Sequence, residues 1–315
     1  MVNYEDYEQK FQPRQKRIKP NYKSKTQPAQ IKVALTETPN EEMPFSYLGS
    51  KYEREWITNY LEEFYNEHLI TDVLRLVKGG KEATVYCCAA HPNLGVDLLA
   101  AKIYRPRQFR QLRNDSLYRQ GRKVIGPDGK AVIDFAELNA LAKGTAFGKE
   151  LQHTSWMAHE NEALTLLHNA GADVPRSYAC GDNAILMTYM GEADSPAPTL
   201  NKVKLDRRQA RPIFDRLIAN VELMLKHHRI HGDLSAFNVL YWEGEVMIID
   251  FPQAIDPYVN SQARKIFNRD VRRLCDYFDR YGDGVWSAAD ANDLAETMWK
   301  RYVIEKEEVP VEEEE

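Results

Sequence analysis

Two aspartates and an asparagine stand in one polar stretch, "HGDLSAFNVLYWEGEVMIID", running from His231 to Asp250. Asp233 is followed by Asn238, and an apolar run, "VMII", then delivers Asp250 to its end. Hard oxygen donors in this order suit a magnesium–nucleotide site, because Mg²⁺ keeps several waters and needs only one or two side-chain ligands plus phosphate oxygens. Asn238 and Asp250 are the metal-ligand candidates, and Asp233 stands where an accepting hydroxyl would need a base. Taken alone, the same three residues also fit Asx turns at the corners of a hairpin.

Residues upstream decide between the two. Lys102, in "AAKIY", is a lysine inside an apolar strand, which is costly to bury without an anion. Glu160, in "MAHENEALTLL", is on the next helix, and a strand lysine paired with a helix glutamate is the arrangement that orients α- and β-phosphates in kinases. The turn "GGKEATVY" offers Gly79, Gly80, Lys81, Glu82, Ala83 and Val85 between two β-rich runs, and its glycines let backbone approach a phosphate. A plain hairpin also favours Gly-Gly, and a lone lysine also snorkels. Five such features in one order point to phosphoryl transfer.

The elements that must position them follow from periodicity. "EREWITNYLEEFYNEHLI" has helical spacing, and "DVLRLVKGGKEATVYCCAAH" reads as a hairpin followed by a third strand, "LLAAKIYR". Residues 105 to about 155 read as long and irregular, with a basic loop at 105–123. A helix ending at Gly171, two short strands in "SYACGDNAILMTYMG" and a long helix over "DRRQARPIFDRLIANVELMLKHHRI" come next. Two strands flank "WEGE", and two helices follow in "SQARKIFNRDVRRLCDYFDRYG" and "AADANDLAETMWKRYV". The pattern predicts an α+β, two-lobed fold: five strands with one helix among them, then a mostly helical half, with the ligand cleft between lobes.

At this point the sequence resembles the RIO family of atypical protein kinases. "GKEATVY" is similar to that family's nucleotide loop, "AAKIYR" to its lysine strand, "MTYMGEADSPAPTL" to its hinge, and "HGDLSAFNVLY" and "IIDFPQA" to its catalytic and metal loops. The likeness runs from about Thr71 to Gly282 and mixes features of two subfamilies, which suggests a lineage outside the best-studied eukaryotic groups. It implies a small β-rich N-lobe, a helical C-lobe and no activation segment. Catalysis would rest on Asp233, Lys102 and Asp250. ATP would be held at residues 79–83, Val85, Lys102 and Glu160, and at the hinge by Met187, Tyr189 and Met190. Asn238 and Asp250 would hold Mg²⁺, with Mn²⁺ as a substitute, and Asp250 is the residue that such proteins transiently phosphorylate during ATP hydrolysis. Gly79 stands where the family often has serine or threonine. Gly232 stands where ordinary protein kinases carry the Arg of "HRD", so a phosphorylated activation loop would have no cation there to dock on.

The expected domains are a flexible basic arm over 1–47, a RIO-type kinase domain over 48–303 divided near residue 190, and an acidic tail over 304–315. The arm carries Arg14, Lys16, Arg17, Lys19, Lys23 and Lys25 without an acid among them, against a net charge of −5 for the chain. Solvated tails are the simplest reading of both ends. The arm at 14–25 and the loop at 105–123 are also candidate contacts for RNA or a ribosomal particle, since basic runs neutralise phosphates. Ser116, in that loop, is either a candidate autophosphorylation site or an unmodified surface serine. Four cysteines without CxxC spacing argue against a zinc site or a disulfide framework. No run approaches the about 20 apolar residues of a membrane span, and the first twenty residues lack the apolar stretch of a secretory signal, so the cytoplasm is the expected location. The expected partners are ATP and an unidentified protein substrate. Two other readings compete: a nucleotide-gated assembly factor whose ATPase is a switch, and a small-molecule phosphotransferase resembling aminoglycoside and choline kinases.

Overall fold

Strand β3, Leu98–Tyr104, is the piece of the sheet that matters most for the site, and its alternation explains where its side chains go. Leu99, Ala101 and Ile103 face a helix-covered core, whereas Ala100 and Tyr104 join the core on the opposite face. Lys102 shares the parity of the second set and therefore points to the cleft side. β3 is the middle strand of a five-stranded antiparallel sheet in the order β1-β2-β3-β5-β4, made by β1 Ile70–Gly79, β2 Ala83–Ala90, β4 Ser177–Cys180 and β5 Ala184–Thr188. In register, Lys102 sits between Val85 of β2 and Ile185 of β5.

The protein is described by a computed structural model at residues 45–80, 82–105, 118, 120, 124–125, 132, 134–282 and 288–304. The arm before residue 45, Lys81, Ser116, most of the basic loop and the tail from 305 lie outside the described residues. Helix α1, Lys51–Asn66, covers the outer face of the sheet. Ser50 and Glu53 close its N-terminus as a reciprocal capping box, and Ile57, Leu61 and Phe64 are buried beneath it.

The segment after β3 departs from the expected irregular run. Among the described residues two helices fill its second half, α2, Phe135–Lys143, and α3, Ala146–Asn169, where the sequence pattern predicts one among the strands. Gly148, a weak helix former, masked the first turns of α3 in the sequence. Its role is in packing, since a Cβ there would lie 2.1 Å from the Ala140 carbonyl oxygen of α2. α3 ends within two residues of the predicted stop, and Gly171 takes the left-handed conformation with φ 87°.

The second lobe packs α4, Arg207–Lys226, against α5, Ala263–Asp279, and α6, Ala288–Trp299, whose last turn widens to a π-helix over Lys300–Ile304. α4 opens with an Asp206–Gln209 capping box and buries Ile213, Phe214, Leu217, Val221 and Leu225 at helical spacing. The small ribbon of β6 Val239–Trp242 and β7 Glu245–Ile248 turns at Gly244, φ 93°, as "WEGE" predicts. The chain reaches α5 at Ala263, thirteen residues after Asp250, which leaves no room for a long activation segment. The two-lobed α+β plan read from the sequence is the observed one.

Candidate active site

Lys102 emerges from β3 with its side chain 11% exposed and is held by two carboxylates from different elements. Its Nζ donates at 2.7 Å to Glu160 Oε1 of α3 and at 2.7 Å to Asp250 Oδ1 after β7. Glu160 is 1% exposed, so its charge has no water to rely on. Its second oxygen accepts from the Tyr104 hydroxyl at 2.5 Å, and the Tyr104 ring lies 5.2 Å from Lys102 Nζ. Burial alone would pull the Lys102 ammonium down. Asp250 and Glu160 overcome this and raise it above the usual lysine range. Desolvation pushes the Asp250 carboxyl up, but Lys102, with His231 and Lys78 at longer range, holds it below the usual value. Burial and Glu160 together push the Tyr104 phenol well above its ordinary value, so it stays a donor.

Asp250 adopts φ 74°, a left-handed conformation that a non-glycine residue takes only when its surroundings impose it. The constraint is visible in the flanking residues. Ile249 N–H donates to the Asn238 carbonyl at 2.9 Å, and its own carbonyl is met by His231 Nε2 at 3.0 Å. The His231 ring also lies 4.6 Å from that of Phe251.

The loop carrying Asp233 is fixed through its backbone. Gly232 N–H donates to Asp270 Oδ2 at 2.8 Å, and the Gly232 carbonyl accepts from Arg269 Nη2, both residues of α5. Gly232 has φ 86°, and a Cβ there would lie 2.2 Å from the Gln253 carbonyl oxygen. Glycine is thus required here for close approach as well as for backbone conformation. Asp270 is buried, which pushes its carboxyl up, with Arg269 only partly offsetting the effect. Asp233 itself is 51% exposed, with Oδ1 on Arg273 Nη1 at 2.7 Å. Asn238 donates through Nδ2 to the Asp233 carbonyl at 2.8 Å and to its Oδ2 at 3.3 Å. With the amide nitrogen committed, the Asn238 oxygen is its atom of metal-ligand type.

The structure joins Lys102, Glu160 and Asp250 directly, and joins Asp233 to Asn238. The Asn238–Ile249 backbone bond ties the two groups together. Around the glycine turn, Gly80 N–H donates to the Ala83 carbonyl and Arg105 N–H to that of Glu82, at 2.9 and 2.8 Å. A Cβ on Gly80 would lie 2.9 Å from the Ala83 oxygen, whereas Gly79 faces open space. Val85 neighbours Lys102, and Lys81 lies outside the described residues. At the hinge, Met187 is buried on the cleft face of β5, and the Met190 carbonyl accepts from Ala197 N–H. The Tyr189 hydroxyl accepts from Arg75 at 2.7 Å and donates to the Glu192 carbonyl, which ties the hinge to β1.

Sequence reasoning passed over Tyr104, His231, Arg269, Asp270 and Arg273. Tyr104 was within reach, two residues after Lys102 on the same strand face. Asp270 also left a signal, as an acid inside the apolar stripe of Ile266, Phe267, Val271 and Leu274. Nothing in the sequence pairs Arg273 with a residue forty positions earlier.

A caged ammonium beside a carboxylate and an amide oxygen is an arrangement that takes a polyphosphate with a hard cation. Among the described residues no cluster of three or more His, Cys, Asp or Glu is set to hold a metal, so a resident ion would depend on Asn238, Asp250, water and ligand oxygens. Known proteins are similar in sequence over part of the chain. A family model described as RIO domain matches residues 140–291, which takes in Glu160, the hinge, Asp233, Asn238 and Asp250. Just under half of the chain is therefore similar to a RIO domain. Human "Serine/threonine-protein kinase RIO1" is 26% identical over 223 residues, 70% of this chain and 36% of that protein. "RIO-type serine/threonine-protein kinase Rio1" of Haloferax volcanii is 27% identical over 223 residues, 70% of this chain and 66% of its own length. The Rio1 of Thermoplasma acidophilum is 30% identical over 127 residues, 40% and 65%. The chain therefore spans between about a third and just under two thirds of these RIO relatives. Lys102 and the glycine turn fall outside the RIO domain match, and the Lys102–Glu160 contact is what attaches them to it.

Proposed function

We propose that this RIO-type chain transfers the γ-phosphoryl group of ATP to serine or threonine hydroxyls of a protein, itself included, and hydrolyses ATP at the same site. The observation that carries the reading is Lys102 bound at 2.7 Å by both Glu160 and Asp250, with one carboxylate from each lobe. Glu160, itself fixed by Tyr104, orients the ammonium toward the α- and β-phosphates. The turn at residues 79–83 and Val85 covers the nucleotide, and the backbone and side chains of Met187, Tyr189 and Met190 bound the adenine. Asp233 takes the acceptor's proton. Asn238 and Asp250 hold the divalent cation, Mg²⁺ or Mn²⁺ in its place, which when bound neutralises charge on the β- and γ-phosphate oxygens.

The domain carrying this activity is assigned to residues 48–303, with the lobes meeting near 190. Among the described residues no helix is long and apolar enough to cross a membrane, and the four cysteines are free, which supports a reduced, cytoplasmic setting. The basic segments 14–25 and 105–123 are proposed as the contact for an RNA or ribosomal partner.

The test is incubation of the chain with labelled Mg-ATP. Labelled protein is expected from the wild type, and Asp233→Ala lowers the rate about 10²-fold or more with the fold intact. Unchanged ATPase and autophosphorylation in both Asp233→Ala and Asp250→Ala would falsify the assignment. The short path from Asp250 to α5 favours one second reading, in which hydrolysis is a switch for assembly and protein phosphorylation is incidental. Single-turnover hydrolysis stimulated by ribosomal particles, with label only on the chain itself, would support it. Rapid turnover on an added protein counts against it.

A further inference from the structure

We infer that Arg273 is a further catalytic residue, a guanidinium supplied by α5 that meets the phosphoryl group during transfer. The inference rests on the phosphoryl-transfer reading above. It starts from the cations near the site among the described residues. The group in transfer spreads charge over its equatorial oxygens, and catalysis depends on fixed positive charge aimed at them. Lys102 is already shared between Glu160 and Asp250. Ser235, two residues after Asp233, is buried and neutral. Gly232, the residue before it, has no side chain. Arg269 is spent on the Gly232 carbonyl, Asp270 and the Tyr118 hydroxyl. Lys78 acts on Asp250 from the β1 side.

Arg273 differs from all of these. Its side chain is 34% exposed, and its Nη1 lies 2.7 Å from Asp233 Oδ1. A guanidinium has five N–H donors, and among the described residues Asp233 Oδ1 is the one acceptor that Arg273 meets. A hydroxyl that gives its proton to Asp233 must lie within hydrogen-bond reach of that carboxylate, about 3 Å. The phosphorus it attacks then lies within reach of the remaining guanidinium donors. Arg273 contacts a base whose backbone is already fixed, so the pair is not needed to hold the loop: Asp270, Arg269 and Asn238 do that.

In the step, the acceptor oxygen forms a bond to the γ-phosphorus while the bond from that phosphorus to the β–γ bridging oxygen breaks. The electron pair leaves with ADP, and the acceptor's proton passes to the Asp233 carboxylate. Arg273 keeps its protons throughout and supplies only charge and hydrogen bonds.

The experiment uses the full chain as wild type, Arg273→Ala, Arg273→Lys and Asp233→Ala. Single-turnover transfer from Mg-ATP is measured beside binding of ADP and of ADP with aluminium fluoride, a mimic of the phosphoryl group in flight. Arg273→Ala is expected to lose about 10²-fold in rate and its affinity for the fluoride complex, while keeping its affinity for ADP. Arg273→Lys recovers part of the rate. Added methylguanidinium at low millimolar concentration recovers part of it in Arg273→Ala and none in Asp233→Ala. Melting curves that match the wild type show that each variant is folded. An Arg273→Ala protein as fast as an active wild type overturns the role of Arg273 alone. So does a slow Arg273→Ala that loses ADP affinity in step and responds to neither lysine nor methylguanidinium. A wild type that transfers no phosphoryl group overturns the enzymatic reading, and this one with it.

Discussion

The two halves of the cleft solve the same problem, holding charges still, by opposite means. Around Lys102 the charges are buried and hold one another: an ammonium 11% exposed, a glutamate 1% exposed and a phenol fixed to its second oxygen. Around Asp233 the carboxylate is 51% exposed and the rigidity comes from the backbone, through Gly232, Asn238 and two residues of α5. The buried half is thus part of the fold's own stability. The open half is fixed beneath Asp233, whose half-exposed carboxylate is the group proposed to meet a hydroxyl. Substitutions in the first region should be read in stability, and those in the second in rate.

The largest effect that tests this difference is on rate. Asp233→Asn should lower single-turnover transfer about 10²-fold or more while leaving the urea midpoint almost unchanged, because an exposed pair with Arg273 contributes little. A midpoint that falls as far as the rate would break the comparison. Lys102→Met should instead destabilise by roughly 3 kcal/mol in urea, since it leaves Glu160 charged and buried, with a smaller share from the half-exposed Asp250. An unchanged midpoint there would show that the buried cluster is not structural.

Gly232→Ala should cost at least about 1–2 kcal/mol from its left-handed backbone alone. The overlap with the Gln253 carbonyl adds to this, so the open half too can lose stability when its backbone is touched. Calorimetry of the variant checks the point. Tyr104→Phe should cost about 1.5 kcal/mol, the size of a hydrogen bond to a charged acceptor, and should weaken ATP binding modestly by loosening Glu160.

The smallest effect is in pH. The Asp250 carboxyl is held low in the folded protein, so its contribution is present above the unfolded value near 3.9 and is lost as pH falls through the lowered folded value. Lys102 is raised, so its contribution is complete below about 10.4 and is lost only as pH rises through the raised folded value. The stability gap between wild type and Asp250→Asn should therefore be flat from about pH 5 to 9 and close in acid, within about 1 kcal/mol for a half-exposed group. A gap that widened in acid would sink the pairing.

Much of this arrangement was legible beforehand because it is carried by local pattern. The apolar run "LLAAKIYR" placed Lys102 inside a strand, helical spacing placed Glu160 on the next helix, and "VMII" placed Asp250 at a strand's end. The missed helices, α2 and the first turns of α3, failed for a local reason too: Gly148 weakens the helical signal, and its use is a close crossing with Ala140 that only a neighbouring helix reveals. Asp270 could have been suspected as an acid in an apolar stripe, but its partner, the Gly232 N–H, could not have been named.

By itself the sequence determined which chemical groups the protein has, on which kind of element each stands, and in what order, because hydrogen-bonding period and side-chain burial are short-range properties of the chain. Tertiary structure alone decided which groups meet. It brought Lys102 to Asp250 across 148 positions, Tyr104 to Glu160 across 56, and Arg273 to Asp233 across 40. Those contacts are set by how sheet and helices pack into one core, and packing at that range depends on the whole set of buried side chains rather than on any stretch that could be read alone.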